Sequence, residues 1–194
     1  MRTKICGITN YKDAMVAINA GTNALGFVFY EKSPRYITPL EAKKIIEKLP
    51  PFVEKVALFV NEDSNSINQK CKESGATLAQ LHFDVTDELC ENLTIPFIKV
   101  VRAKSSKDIL KYSDEYRLVD AYCEAYGGAG KRINIEWFDS VDCSKIILAG
   151  GLDSQNVESL KKYNFYGVDV SSGVEESHGI KDSNKVKKFI DNAR

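Results

Sequence analysis

The sequence predicts one (β/α)8 barrel, a TIM barrel, spanning residues 1–194 as a single compact α/β domain. Three observations lead there. Strand-prone and helix-prone stretches alternate eight times along the chain, the pattern of a parallel sheet with crossover helices. No composition break or linker divides these units, and open sheets more often hold about five or six strands. No GxGxxG follows the first strand, and the GGAG at 127–130 lacks the lysine and hydroxyl residue of a P-loop, so nucleotide-binding open sheets lose ground. A chain of 194 residues is near the lower length limit for such a barrel, and short fourth and fifth helices are expected.

The first strand, around Lys4, Ile5 and Cys6, ends at Gly7, and Thr9 and Asn10 offer N-cap oxygens to a helix carrying Ala14, Ala17 and Ile18 and stopped by Gly21. Ala24 to Phe29 is a nearly continuous apolar run, as in a strand buried on both faces. After a loop holding Ser33, Pro34 and Arg35, Thr38 and Pro39 form an N-cap and N1 pair. The helix they open bears Ala42, Ile45, Ile46 and Leu49 at i, i+3, i+4, i+7 and stops at Pro50 and Pro51. Glu54 to Val60 reads as strand three, Ile67 to Ser74 as a helix ended by Gly75, and Thr77 to Leu81 as strand four, closing on His82. A short helix near Asp87 to Asn92 precedes strand five at Phe97 to Val101, and a brief helix at Asp108 to Tyr112 precedes strand six at Tyr116 to Val119, ending on Asp120. A polar loop containing Gly127, Gly128 and Gly130 then leads to a weakly written sixth helix within Ile135 to Val141. Lys145 to Ala149 is strand seven, followed by Gly150 and Gly151 and a helix opened by Ser154 with Val157 and Leu160 on one face. Gly167 to Val170 is strand eight, and the last helix carries Val186, Phe189, Ile190 and Ala193 on one stripe.

Composition narrows the function. Lys+Arg and Asp+Glu both number 27, which gives no reason to expect nucleic acid or membrane as a partner and requires any anion site to be local. The five cysteines include no CxxC pair and there are two histidines, so neither a disulfide framework nor a metal site is expected. A strand beginning within about three residues of the start leaves no room for a targeting peptide, and no apolar run approaches the ~20 residues of a membrane span. The expected compartment is the reducing cytoplasm.

In a barrel, residues at the strand carboxyl ends share one face. Here these are Cys6, Arg35, His82, Asp120, the Gly127–Gly130 loop, Gly150 and Gly151, Asp169, and Ser171 to Gly173. Position alone leaves Cys6 as inert packing or as a base at the barrel mouth. Gly150, Gly151, Ser172 and Gly173 suit a phosphate held by backbone amides, or simply form tight turns. Asp120 is either a general acid kept protonated by burial or the partner of a barrel cation. Asp169 gives structural support or touches substrate, since a buried carboxylate must be paired. Arg35 can grip a carboxylate with two parallel donors, or be a solvated loop cation. For His82, a hydrogen-bonded structural role outweighs titration or metal binding.

KICGIT at the start, SPRY at 33–36, LFVN at 58–61, QLH at 80–82, YGGAGK at 126–131, LAGGL at 148–152, VDVSSGVE at 168–175 and GIKD at 179–182 occur in that order. Together they resemble the phosphoribosylanthranilate isomerase family of tryptophan biosynthesis, over nearly the whole chain. The resemblance implies a cofactor-free Amadori rearrangement of N-(5-phosphoribosyl)anthranilate, an aldose–ketose type of isomerisation. It makes Cys6 the base and Asp120 the acid, and assigns Arg35 to the anthranilate carboxylate. Gly150, Gly151, Ser172 and Gly173 fall in its phosphate loops, and Gly128 and Asp169 complete the expected substrate-binding set. The implied partner is a small phosphorylated substrate, with the protein a monomer or homodimer. Another phosphosugar isomerase, or a catalytically silent barrel binding a phosphorylated ligand, is the alternative. Two departures stand out: Phe83 replaces the usual glycine after QLH, where it is expected to crowd the fourth loop, and KRINIEW replaces a shorter run before Trp137.

Overall fold

A computed structural model describes residues 1–122 and 132–194. Eight strands close into a barrel in chain order: β1 (Arg2–Cys6), β2 (Ala24–Val28), β3 (Glu54–Phe59), β4 (Leu78–Leu81), β5 (Phe97–Ala103), β6 (Arg117–Ala121), β7 (Ile146–Leu148) and β8 (Gly167–Val170). Every neighbouring pair runs parallel, and β1 closes on β8 with Lys4 opposite Asp169.

The helices begin where cap chemistry allows. α1 (Tyr11–Ala20) starts from Asn10, whose side chain accepts from the Asp13 amide, and ends at Gly21 with φ of 95°. Thr38 and Glu41 form a reciprocal capping box for α2 (Pro39–Ile46), with Pro39 at its start. α3 (Ser64–Ser74) begins a turn earlier than its apolar residues suggest, because Asp63 caps it by accepting from the Ser66 amide. α4 (Asp87–Glu91) is the expected short helix, and α5 (Ser183–Ala193) is capped by Asp182.

The fifth, sixth and seventh connections are 3-10 turns at Asp108–Leu110, Ile135–Phe138 and Val157–Tyr163. Buried Val157 and Leu160 are three residues apart, a spacing that fits one face of either helix type, so the apolar pattern alone does not separate them. After β8 the chain makes a turn at Ser172–Val174 and a small hairpin, β9 (Glu175–Ser177) and β10 (Ile180–Lys181). Strands of two or three residues are too short to show a readable alternation.

Alternate strand residues face inward and outward. Inside, Cys6, Val28, Leu58 and Val60 form one cluster, and Ile98, Val100, Leu118 and Ala149 another. Outside, Ile5, Leu25, Phe27, Phe59 and Leu81 pack in the main core. Phe83 joins that core and is buried, so it adds packing rather than crowding the fourth loop. β6 runs two residues further than expected, because Arg102 and Ala103 pair with Asp120 and Ala121, and Asp120 therefore lies within the strand. Among the described residues, no helix is long and apolar enough to cross a membrane.

Candidate active site

The carboxyl ends of the strands carry the titratable groups that chemistry needs. A cavity of about 300 Å³ reaches in from the other end, lined by Val56, Leu78, Ile98 and Leu118 together with Arg2, Lys4, Glu54 and Gln80.

Lys4 and Cys6 lie two residues apart on β1, so their side chains share the interior face. From β8, Asp169 meets Lys4 with Nζ–Oδ1 of 3.0 Å, both side chains being buried. Asp169 thus has the partner that a buried carboxylate requires. Next door on β2, Gly26 leaves the room that the thiol and ammonium share, since a Cβ there would lie 2.7 Å from Cys6 Sγ and 3.0 Å from Lys4 Nζ. Burial pushes the Cys6 thiol up; Lys4 opposes this by charge and hydrogen bond, Asp169 adds to it, and Lys181 opposes it weakly. Burial pulls Lys4 down, but Asp169 and Cys6 outweigh it and leave the ammonium held above its ordinary range.

Across the barrel, Asp120 faces in from β6. Burial and the charge of Asp169 push its carboxyl up to about 7, against the Ala121 amide, Arg102 and Lys4. His82 Nε2 lies 3.7 Å from Asp120 Oδ2. Burial, Arg102 and Lys4 hold His82 down at about 4, so at neutral pH this is a neutral imidazole beside the carboxyl and not an ion pair. The expected hydrogen-bonded role for His82 is corrected: its buried Nδ1 has no hydrogen-bond partner among the described residues, and 3.7 Å exceeds a hydrogen bond.

Arg35 is buried, and Glu175 takes its fork: Nε donates to Oε1 and Nη2 to Oε2, both at 2.7 Å. The two-pronged grip expected for a substrate carboxylate is thus made on the chain's own Glu175, and Nη1 stands outside that fork. Lys181 Nζ donates to Glu175 Oε1 at 2.9 Å and to the Ser171 carbonyl at 3.3 Å, tying the hairpin to the loop after β8. Burial pushes Glu175 up, yet Arg35 and Lys181 together hold it below the usual carboxylate range.

The glycine loops lie at the same end. Gly150 and Gly151 adopt φ of 89° and 63°, left-handed conformations that favour glycine. Asn156 Nδ2 donates to the Gly151 carbonyl at 3.0 Å and fixes that turn. At Gly173 an added Cβ would fall 1.9 Å from the Leu152 carbonyl oxygen, so the loops after β7 and β8 touch and only glycine permits it. Ser171 Oγ donates to the Cys6 carbonyl at 3.1 Å, joining the β8 loop to the end of β1. Gly128 lies outside the described residues. Among those described, no group of three or more His, Cys, Asp or Glu side chains is placed to hold a metal ion.

Sequence reasoning passed over Lys4, Glu175 and Lys181 as site residues. Lys4 carried a readable signal, since period-two alternation puts it on the face of Cys6. Glu175 and Lys181 did not, because they become neighbours of Arg35 only through the fold.

An acid and a thiol on strand ends, beside amide-rich loops inside a closed parallel barrel, define a barrel enzyme of the acid–base type. A family model for N-(5'phosphoribosyl)anthranilate (PRA) isomerase matches residues 3–192. The chain is 59% identical over 194 residues to an N-(5'-phosphoribosyl)anthranilate isomerase of Sulfurovum sp. (strain NBC37-1), covering 100% of this chain and 99% of the relative. It superposes on the crystal structure of phosphoribosyl anthranilate isomerase from Thermus thermophilus with a TM-score of 0.90 at 31% identity, covering 99% of this chain and 98% of that one. A further solved isomerase, in complex with reduced 1-(o-carboxyphenylamino)-1-deoxyribulose 5-phosphate, matches at a TM-score of 0.85 and 38% identity, covering 100% of this chain and 98% of that one. The chain belongs to the N-(5'-phosphoribosyl)anthranilate isomerase family.

Proposed function

We propose that the chain catalyses the Amadori rearrangement of N-(5-phosphoribosyl)anthranilate to 1-(2-carboxyphenylamino)-1-deoxyribulose 5-phosphate in L-tryptophan biosynthesis. The observation that carries the reading is a largely buried carboxyl, Asp120, facing into the barrel beside His82 at the same end as the Cys6 thiol. Asp120 gives its proton to the ribose ring oxygen as the C1–oxygen bond breaks, and the nitrogen lone pair forms the C1 iminium. Cys6, as thiolate, removes the C2 proton; that electron pair forms the C1–C2 double bond and neutralises the nitrogen. Protonation at C1 and loss of the enol proton leave the C2 ketone. Each step moves a proton, chemistry that side chains supply without a cofactor.

Amides of Gly150, Gly151, Ser172 and Gly173 hold the phosphate. Nη1 of Arg35, held in place by Glu175, meets the anthranilate carboxylate. The protein works as a monomer or homodimer, and its free thiols suit the cytoplasm, where Cys6, Cys71, Cys90 and Cys143 stay reduced.

The test is complementation of a tryptophan auxotroph lacking this isomerase. Growth is expected with the wild type, whereas no growth from a folded, expressed wild type contradicts the reading. A finer prediction concerns Gly173→Ala. The methyl must part the two loops, so KM for the phosphorylated substrate is expected to rise roughly tenfold or more while kcat falls less. Steady-state kinetics measures it, and an unchanged KM would remove the phosphate from this site.

A further inference from the structure

We infer that the buried Lys4–Asp169 ion pair is a positioning dipole, its ammonium at Cys6 and its carboxylate acting on Asp120, that biases the shared proton toward the acid and away from the base. The inference rests on the acid and base roles proposed above. Its geometry comes from three adjacent strands. Lys4 and Asp169 are register partners on β1 and β8 with an Nζ–Oδ1 distance of 3.0 Å. Gly26 on β2 leaves the gap in which Lys4 Nζ and Cys6 Sγ sit side by side. Such a pair is not needed for stability alone, since a buried ion pair is often matched by apolar side chains of similar size.

The charges acting on each group are unequal. Those on Cys6 come from Lys4, Asp169 and Lys181, and Lys4 acts most strongly. On Asp120 the largest is Asp169, opposed by Arg102 and Lys4, with neutral His82 alongside from β4. The pair therefore lowers the thiol and raises the carboxyl. Burial leaves the thiol above its ordinary range and the carboxyl near 7, so between those values the two groups hold one proton, resting mostly on sulfur. Catalysis needs that proton on Asp120. Each unit by which the dipole narrows the gap raises the reactive arrangement about tenfold.

The experiment is the pH dependence of kcat/KM for the wild type, Lys4→Met/Asp169→Asn and Asp169→Asn, with Cys6 alkylation by iodoacetamide followed against pH by mass spectrometry. For the double variant, the lower limb is expected to move down and the upper limb up, each by about one unit, while the plateau falls roughly 100-fold. The Cys6 alkylation midpoint is expected to rise with the upper limb. Asp169→Asn should instead move both limbs down, because one negative charge leaves both groups; it keeps the test open if the double variant does not fold. Lost activity with unmoved limbs and an unmoved alkylation midpoint would make the pair merely structural and overturn the inference. Alkylation reads the thiol without turnover. Should Cys6→Ser remain fully active, it is the base assignment that fails, a result separate from any shift of the midpoint.

Discussion

Asp120→Asn is expected to lower kcat by roughly 10²–10⁴ and, at pH 8, to make the protein harder to unfold. The two effects share one cause. Burial and Asp169 raise the Asp120 carboxyl to about 7 in the folded protein, against an ordinary value near ~3.9 in the unfolded chain. A raised carboxyl contributes stability that is fully present below the unfolded value and is lost as pH rises through the folded one. At pH 8 the folded protein therefore carries an unfavourable buried charge, at a cost of up to about 4 kcal/mol, which neutral asparagine removes. Urea unfolding at pH 8 should show the variant more stable than the wild type, and at pH 4 the gain should largely vanish. In activity, wild-type kcat/KM should rise through about pH 7, where the Asp120–Cys6 pair loses its first proton, and fall as the second leaves. The variant should lose the lower limb. Near-wild-type turnover in Asp120→Asn would remove Asp120 as the acid.

Cys6→Ser is expected to cost a similar 10²–10⁴ in kcat with little change in stability. The hydroxyl fits the same space beside Gly26, and Lys4 can donate to it as it does to the thiol, so unfolding free energy should stay within about 1 kcal/mol. What is lost is acidity: a serine hydroxyl gives up its proton far less readily than a thiol, even one raised by burial. The check is kcat alongside circular dichroism and urea unfolding. Loss of fold together with activity would leave Cys6 a packing residue, and retained activity would move the base elsewhere.

The barrel was legible because its parallel strands are buried on both faces and read as apolar runs separated by capped helices. Asn10, Thr38 and the glycines at 21 and 75 marked helix ends that the structure reproduces. Fine local structure was not legible. Val157 and Leu160 fit either helix type, and strand pairing to β5, rather than anything local, carries β6 past Asp120. The acid, the thiol and the glycine turns were visible because strand ends share one face. Their electrostatic partners were not, because Lys4 and Asp169 lie 165 residues apart and Arg35 and Glu175 140 apart. Arg35 shows the consequence: its two-pronged grip on Glu175 could not be read from residues 140 apart.

The most direct test is conversion of N-(5-phosphoribosyl)anthranilate by the purified protein, with Cys6→Ser and Asp120→Asn in parallel and folding confirmed by circular dichroism. The wild type is expected to form 1-(2-carboxyphenylamino)-1-deoxyribulose 5-phosphate without added metal or cofactor, and each folded variant to run at least about 100-fold slower. A folded wild type that forms no product, or variants that match it, would contradict the account.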